Sequence, residues 1–238
     1  MDIGRLGFVL SHWLAMVLLA AIAYILGRRI LLKYSFDSRI EELAFSTGLG
    51  LGVLVWIVML LGFLHLLHWW IAVPVLIACL LACLPVYRSW TADLAGWIRK
   101  VSGSWGRIIF AVIVVALIIA ALLPILLIPL YPPTGHDATS YHLPFARHFI
   151  DHHAIVMTPH LRFPAITMNV EMLFTLMLLL LDDISTQLVS LLTLLVTVAA
   201  VIGWGKRAQS WRSGIWAGAL VRERLQELDQ SVDRATLL

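Results

Sequence analysis

The sequence predicts an all-α integral membrane protein. Of its 238 residues, 61% are hydrophobic and 13% are charged, and the mean hydropathy is +0.93. Such a composition has too little polar surface to cover a soluble globule of this length. Long apolar runs alternate with short basic clusters, and each long run approaches the roughly 20 residues that a helix needs to cross a bilayer.

Five apolar runs are candidates for transmembrane helices, in addition to exoplasmic helices that lie along the membrane surface. They cover residues 8–27, 43–64, 71–87, 108–130 and 184–204. A sixth run, residues 166–181, is short and contains Asn169 and Glu171, so we expect it to lie along or dip into the outer surface. If it crossed, the Lys206 cluster would lie outside, against the positive-inside tendency. We therefore expect an exoplasmic N-terminus, a cytoplasmic C-terminus and one exoplasmic loop at residues 131–183.

This pattern divides the chain into three parts. Residues 1–107 hold three spans and end in a cytoplasmic amphipathic stretch of basic and tryptophan residues. Residues 108–212 contain a span, the exoplasmic loop and the last span. Residues 213–238 begin like a further span and continue as a charged, amphipathic cytoplasmic tail. The net charge of +3 is small, and the membrane spans beside the basic residues favour lipid headgroups over nucleic acid as their partners.

A polar, histidine-rich stretch follows the fourth span. Within it, Tyr141, Phe145 and Phe149 recur every four residues, a spacing that places them on one side of a helix. We expect residues 138–153 to form a short amphipathic helix at the interface, with this aromatic face towards the lipid. Asp137 precedes that helix. It is either a cap for the free N–H groups or a carboxylate held at the membrane surface for catalysis.

The histidines of this stretch do not form a recognisable metal motif. They are His136, His142, His148, His152, His153 and His160. The adjacent pair, His152 and His153, would point about 100° apart on a helix, and no close three-ligand spacing emerges. Further along, Asp182 and Asp183 fit a solvated turn between the short apolar run and the last span.

Several motifs resemble a known family. They are H-D-A-T-S-Y-H-L-P-F-A-R, L-R-F-P, N-x-E-M-L-F and, beyond the last span, G-W-G-K-R-A-Q-S-W-R-S-G-I-W-A-G-A-L. In this order they resemble the amino-terminal part of bacterial GT-C glycosyltransferases, a group that includes protein O-mannosyltransferases and lipid A aminoarabinose transferases. The resemblance covers most of residues 1–220 and is most specific at residues 137–147 and 171–174.

The resemblance implies an enzyme of the bacterial inner membrane that transfers a hexose or pentose from a polyprenyl-phosphate-linked donor to an exoplasmic acceptor. Asp137 matches the essential acid of the first large exoplasmic loop, which is proposed to act as general base on the acceptor or to align it. The implied partners are the lipid-linked donor and membrane lipids. No resident cofactor follows, and a divalent cation is left open because some members of the family use one.

Five further residues are candidates for substrate binding: Tyr141, His142, Arg147, Arg162 and Glu171. Arg147 and Arg162 could bind the donor phosphate, although Arg162 could equally snorkel to native headgroups. Glu171 is an acid inside an apolar run, which is costly unless it is paired or faces a polar cavity. Tyr141 and His142 match the family pattern and could shape the acceptor pocket, although Tyr141 could equally be an interfacial aromatic.

The chain also departs from the family. Family members continue through many more spans, which supply part of the donor cavity, whereas residues 221–234 are charged. We therefore expect a chain truncated after the first part of the catalytic membrane module, and an incomplete or inactive enzyme is one interpretation. The alternative is a non-catalytic membrane subunit or a small transporter. The few charges within the spans argue against ion coupling.

Overall fold

The structure is a computed structural model that describes residues 3–82, 112–113, 127–159, 169–208 and 220. All regular elements in these residues are helical. The α-helices are α1 (Ile3–Ile30), α2 (Arg39–Phe63), α3 (Trp69–Ala82), α4 (Leu143–Asp151), α5 (Asn169–Leu180) and α6 (Ile184–Ala208). Three of them, α1, α2 and α6, are long and apolar enough to cross a membrane. The prediction of an α-helical membrane protein is confirmed.

The predicted spans are described to different extents. The first, second and last coincide with α1, α2 and α6. The third is described only as α3, whose 14 residues rise about 20 Å. The fourth lies almost wholly outside the described residues, and its final residues Ile128–Leu130 form a 3-10 turn. The short apolar run contains α5, whose 12 described residues extend about 18 Å against a hydrocarbon core of about 30 Å.

Helices α1 and α2 are in backbone contact at two glycines. A Cβ atom on Gly50 would lie 1.7 Å from the carbonyl oxygen of Ala23, and one on Gly27 would lie 1.8 Å from that of Ser46. Only glycine allows so close an approach, which is typical of small residues between helices in lipid. A Cβ atom on Gly52, two residues further along α2, would have no other atom within 4 Å. The glycines of α2 thus differ in their roles.

The bundle has two ends that differ in chemistry. At the basic end, Arg28, at the close of α1, and Arg207, at the close of α6, contact acids at the start of α2. At the loop end, the segment after α4 joins the other end of α2. There the N–H of Ile155 donates to the Gly62 carbonyl at 3.1 Å, and the N–H of Leu67 donates to the His153 carbonyl at 3.2 Å.

Helix α4 forms where the amphipathic pattern predicts it, but its aromatic face does not point to lipid. Phe145 and Phe149 are fully buried and belong to the same core cluster as Met172 of α5. The expectation of a lipid-facing surface was wrong because the short helix α5 covers this face. Packing against protein removes the same apolar area from water and also fixes α4 relative to α5.

Candidate functional site at the loop end

A cavity of about 450 Å³ lies between α4 and α5 at the loop end. The charged residues and the histidine of its wall are Arg147, His148 and Asp151 from one face of α4, and Asp183 from the turn after α5. Leu178 of α5 contributes to the apolar wall. The volume falls within the range of about 300–1,000 Å³ that is typical of ligand pockets.

The charged side chains of this wall are not satisfied by one another. Arg147 and Asp151 lie four residues apart on α4. Among the described residues, neither of these side chains forms an ion pair or a hydrogen bond, and the same holds for the Asp183 carboxylate. A free guanidinium can bind an anionic group, and free carboxylates can accept hydrogen bonds from hydroxyl groups. The wall therefore suits a ligand that carries an anionic group and hydroxyl groups.

Asp137 does not act as the helix cap that its position allowed. Its backbone is already helical, with φ −65° and ψ −41°, and its side chain makes no capping hydrogen bond. The side chain is half-buried and lies at the start of a π-helical turn, Ala138–His142, a feature that occurs frequently at functional sites. Asp137 is not part of the cavity wall, but Thr139, two residues on, is.

The structure brings together three of the predicted site residues, Tyr141, His142 and Glu171. Nδ1 of His142 lies 2.7 Å from Oε1 of Glu171. The Glu171 side chain is 2% exposed and that of His142 is 31% exposed. Tyr141 packs against the same ring, with a centroid distance of 4.3 Å, and Phe174 meets it edge-on at 6.2 Å. The sequence indicated that Glu171 must either be paired or face a polar cavity, and the structure shows that it is paired with His142.

The remaining predictions for the site concern Arg162, a metal ion and the histidines of the loop. Arg162 lies outside the described residues, so its role stays a prediction. Within the part of the chain that the structure describes, no group of three or more His, Cys, Asp or Glu side chains could hold a metal ion. In the loop, the rings of His148 and His152 approach each other with a centroid distance of 4.1 Å.

The sequence did not predict the roles of the two acids in the turn after α5. Asp183 lines the cavity, and Asp182 is paired rather than simply solvated. Both carboxylate oxygens of Asp182 lie 3.0 Å from Nε2 of His12, a ring that is 2% exposed within α1. A histidine inside an apolar span was the available signal, because a polar side chain there needs a partner.

Comparison with known proteins finds one relative that is similar over part of the chain, and no matching family. Over 78 residues, which are 33% of this chain and 39% of the relative, the sequence is 38% identical to an uncharacterised protein of Shigella flexneri. The aligned part is thus well under half of that protein's length. No family model and no solved structure match the chain.

Proposed function

We propose that this chain is a membrane glycosyltransferase of the GT-C type, which moves a sugar from a polyprenyl-phosphate-linked donor to an acceptor at the loop end of the bundle. The observation that carries the proposal is the wall of the 450 Å³ cavity, where one arginine and two aspartates have no partner among the described residues. A sugar phosphate supplies the complementary groups, one anion and several hydroxyls. The resemblance of the surrounding motifs to GT-C enzymes supports the same assignment.

Each group of the wall has a distinct role in this proposal. Arg147 binds the donor phosphate and stabilises the negative charge that develops on it as the sugar leaves. Asp151 and Asp183 accept hydrogen bonds from the sugar hydroxyls. Asp137 faces the incoming acceptor, as general base or as the group that aligns it. The exposed side chains of Leu180 and Leu181, shortly before Asp183, offer an apolar surface to the polyprenyl chain.

The proposed orientation places the loop end outside a bacterial inner membrane and the basic end in the cytoplasm. The support is the gathering of Arg28, Arg39 and Arg207 at one end, which agrees with the positive-inside tendency. Single cysteines at Met157 and Lys33, in a background without Cys79 and Cys83, test this with an impermeant thiol reagent. Labelling of position 157 alone from outside is expected, and labelling of position 33 alone would reverse the orientation.

The experiment that tests the function uses the full chain in vesicles with polyprenyl-phosphate-linked hexoses and pentoses, radiolabelled in the sugar. Sugar release or transfer is measured together with binding of polyprenyl [32P]phosphate. The Arg147→Ala variant is expected to lose affinity about ten- to a hundredfold, because a hydrogen bond to a charged group contributes about 1.5–3 kcal/mol. The Asp137→Asn variant is expected to bind normally and to turn over slowly.

Arg29→Ala is the matched control, because Arg29 is an exposed arginine at the basic end and should leave both readouts unchanged. Transfer that does not depend on Asp137 would remove its assigned role. Absence of both donor binding and sugar transfer in the unmodified chain would contradict the enzyme assignment. It would then favour a non-catalytic membrane subunit or a small transporter.

A further inference from the structure

We infer that His142, held by Glu171, accepts the proton of the acceptor during sugar transfer. This inference rests on the proposed function and adds to it the identity of the general base. The observation behind it is the contact of 2.7 Å between His142 Nδ1 and a carboxylate that is almost completely buried.

The inferred role requires one tautomer of the histidine, and the contact with Glu171 is compatible with it. In this arrangement Glu171 is ionised and can only accept a hydrogen bond, so Nδ1 carries the hydrogen and donates it to Oε1. In the neutral ring, Nε2 then has a free lone pair. Among the described residues Nε2 has no hydrogen-bond partner, and the side chain is 31% exposed. His142 is not itself part of the cavity wall, but the next residue, Leu143, is.

The surroundings hold this ring in one orientation. Tyr141 packs against it on one side and Phe174 meets it edge-on. Glu171 lies within α5. The same residue's carbonyl accepts a hydrogen bond of 2.7 Å from the Thr175 hydroxyl, so the turn that carries the carboxylate is itself fixed. A base whose ring is oriented by a second, buried acid is the arrangement that activates nucleophiles in many enzymes.

The transfer step involves one bond formed, one bond broken and one proton moved. The acceptor oxygen or nitrogen forms its bond to the anomeric carbon while its proton moves to Nε2 of His142. The bond between the anomeric carbon and the phosphate oxygen breaks, and its electron pair remains on the polyprenyl phosphate. His142 is now an imidazolium that Glu171 neutralises, and it releases its proton to water. Asp137 is left with the role of aligning the acceptor.

The test compares three variants in the vesicle assay described above. The His142→Ala variant is expected to bind polyprenyl [32P]phosphate normally, to keep its KM for the donor, and to lose about a hundredfold or more in kcat. Added imidazole should restore a substantial part of this loss, because it can occupy the space left by the ring. The Glu171→Gln variant keeps an oxygen that accepts from Nδ1 but no charge, so an intermediate loss in kcat is expected.

His152→Ala is the control, because His152 is an exposed histidine of the same loop that makes no contact with Glu171. An unmodified chain that transfers sugar while His142→Ala keeps its full kcat would overturn the inference alone. A loss of kcat that imidazole does not restore, together with weaker binding of polyprenyl phosphate, would mean that the pair is only a structural link. An unmodified chain that transfers no sugar would overturn the proposed function and this inference together.

Discussion

The two ends of the bundle carry similar residue types in opposite arrangements. At the basic end, Nη1 of Arg207 donates to the Tyr34 hydroxyl at 2.8 Å and to Glu41 at 3.0 Å, and its Nε lies 3.3 Å from Asp37. At the loop end, Arg147 lines a cavity without any such partner among the described residues. Paired charges hold helices together, whereas charges left unpaired remain available to a ligand.

The basic end continues this closed network around Glu42. Its carboxylate accepts from Arg28 at 2.9 Å, from Arg39 at 3.0 Å and from the Tyr24 hydroxyl at 3.1 Å. A second cavity, of about 400 Å³, lies at this end beside Trp204. Its charged lining residues are already bonded to each other, so they offer a ligand much less than the wall at the loop end.

The largest effect is expected from Gly50→Ala, in the middle of α2. The new methyl group would lie 1.7 Å from the Ala23 carbonyl oxygen, so α1 and α2 must separate. We expect a loss of about 3 kcal/mol or more in the free energy of unfolding, at the upper limit of overpacking effects. Unfolding in mixed detergent and SDS measures it. Gly52→Ala is the control on the same helix and should change stability little, since nothing lies within 4 Å. Equal stability of the two variants would contradict the close contact.

Glu41→Ala tests the difference between the two ends directly. The Glu41 side chain is 3% exposed and binds Arg207 and the N–H of Asp37, so its removal should cost about 2 kcal/mol. Asp151→Ala removes an acid from the loop end that has no partner among the described residues, and its unfolding free energy should change by less than about 0.5 kcal/mol. A larger loss for Asp151→Ala than for Glu41→Ala in the same unfolding assay would reverse the comparison.

At the loop end, variants of the adjacent acids Asp182 and Asp183 distinguish an effect on stability from an effect on ligand binding. Asp182→Ala removes the partner of His12 and a hydrogen bond of 3.1 Å to the Ser185 N–H, so a loss of about 1–2 kcal/mol in unfolding free energy is expected. Asp183→Ala should leave stability unchanged and weaken binding of a polyprenyl-phosphate-linked sugar. If the two variants behaved alike in both assays, the cavity wall would not be a binding surface.

The smallest expected effect is a pH dependence of the unfolding free energy that arises from His68, which lies between α2 and α3. Desolvation and the nearby His153, whose ring centroid is 3.9 Å away, lower the pKa of His68 below its usual 6.5. The folded state therefore binds this proton less well than the unfolded state. Stability is retained above pH 6.5 and falls as the pH drops below it. Unfolding between about pH 7 and pH 5 should show this fall, and His68→Gln should reduce it. An unchanged slope in that variant would assign the effect to another group.

The sequence was sufficient to predict the main helices, because their length and hydropathy follow from the chemistry of the bilayer alone. It also predicted α4 from the four-residue spacing of its aromatic residues. The direction of that aromatic face was wrong. An amphipathic pattern shows that one face is buried, but it does not show whether lipid or another helix covers it.

The candidate site was predictable only in its residue types. The sequence predicted that Glu171 must be paired or face a polar cavity, and His142 was a separate candidate. Nothing in their spacing of 29 residues joins the two. The cavity wall depends on how α5 packs against α4, so Asp183 could not be assigned to it beforehand. His12 was the one missed residue whose position in an apolar span gave a direct signal.

The central claim is that the loop end, and not the basic end, binds the lipid phosphate. A polyprenyl phosphate with a photoreactive group close to its phosphate tests this most directly, with the full chain in vesicles and the labelled peptides identified by mass spectrometry. We expect labelling of residues in α4 and in the turn after α5, suppressed by Arg147→Ala and unaffected by Arg29→Ala. Labelling concentrated around Trp204 and Arg207 at the basic end would contradict the claim.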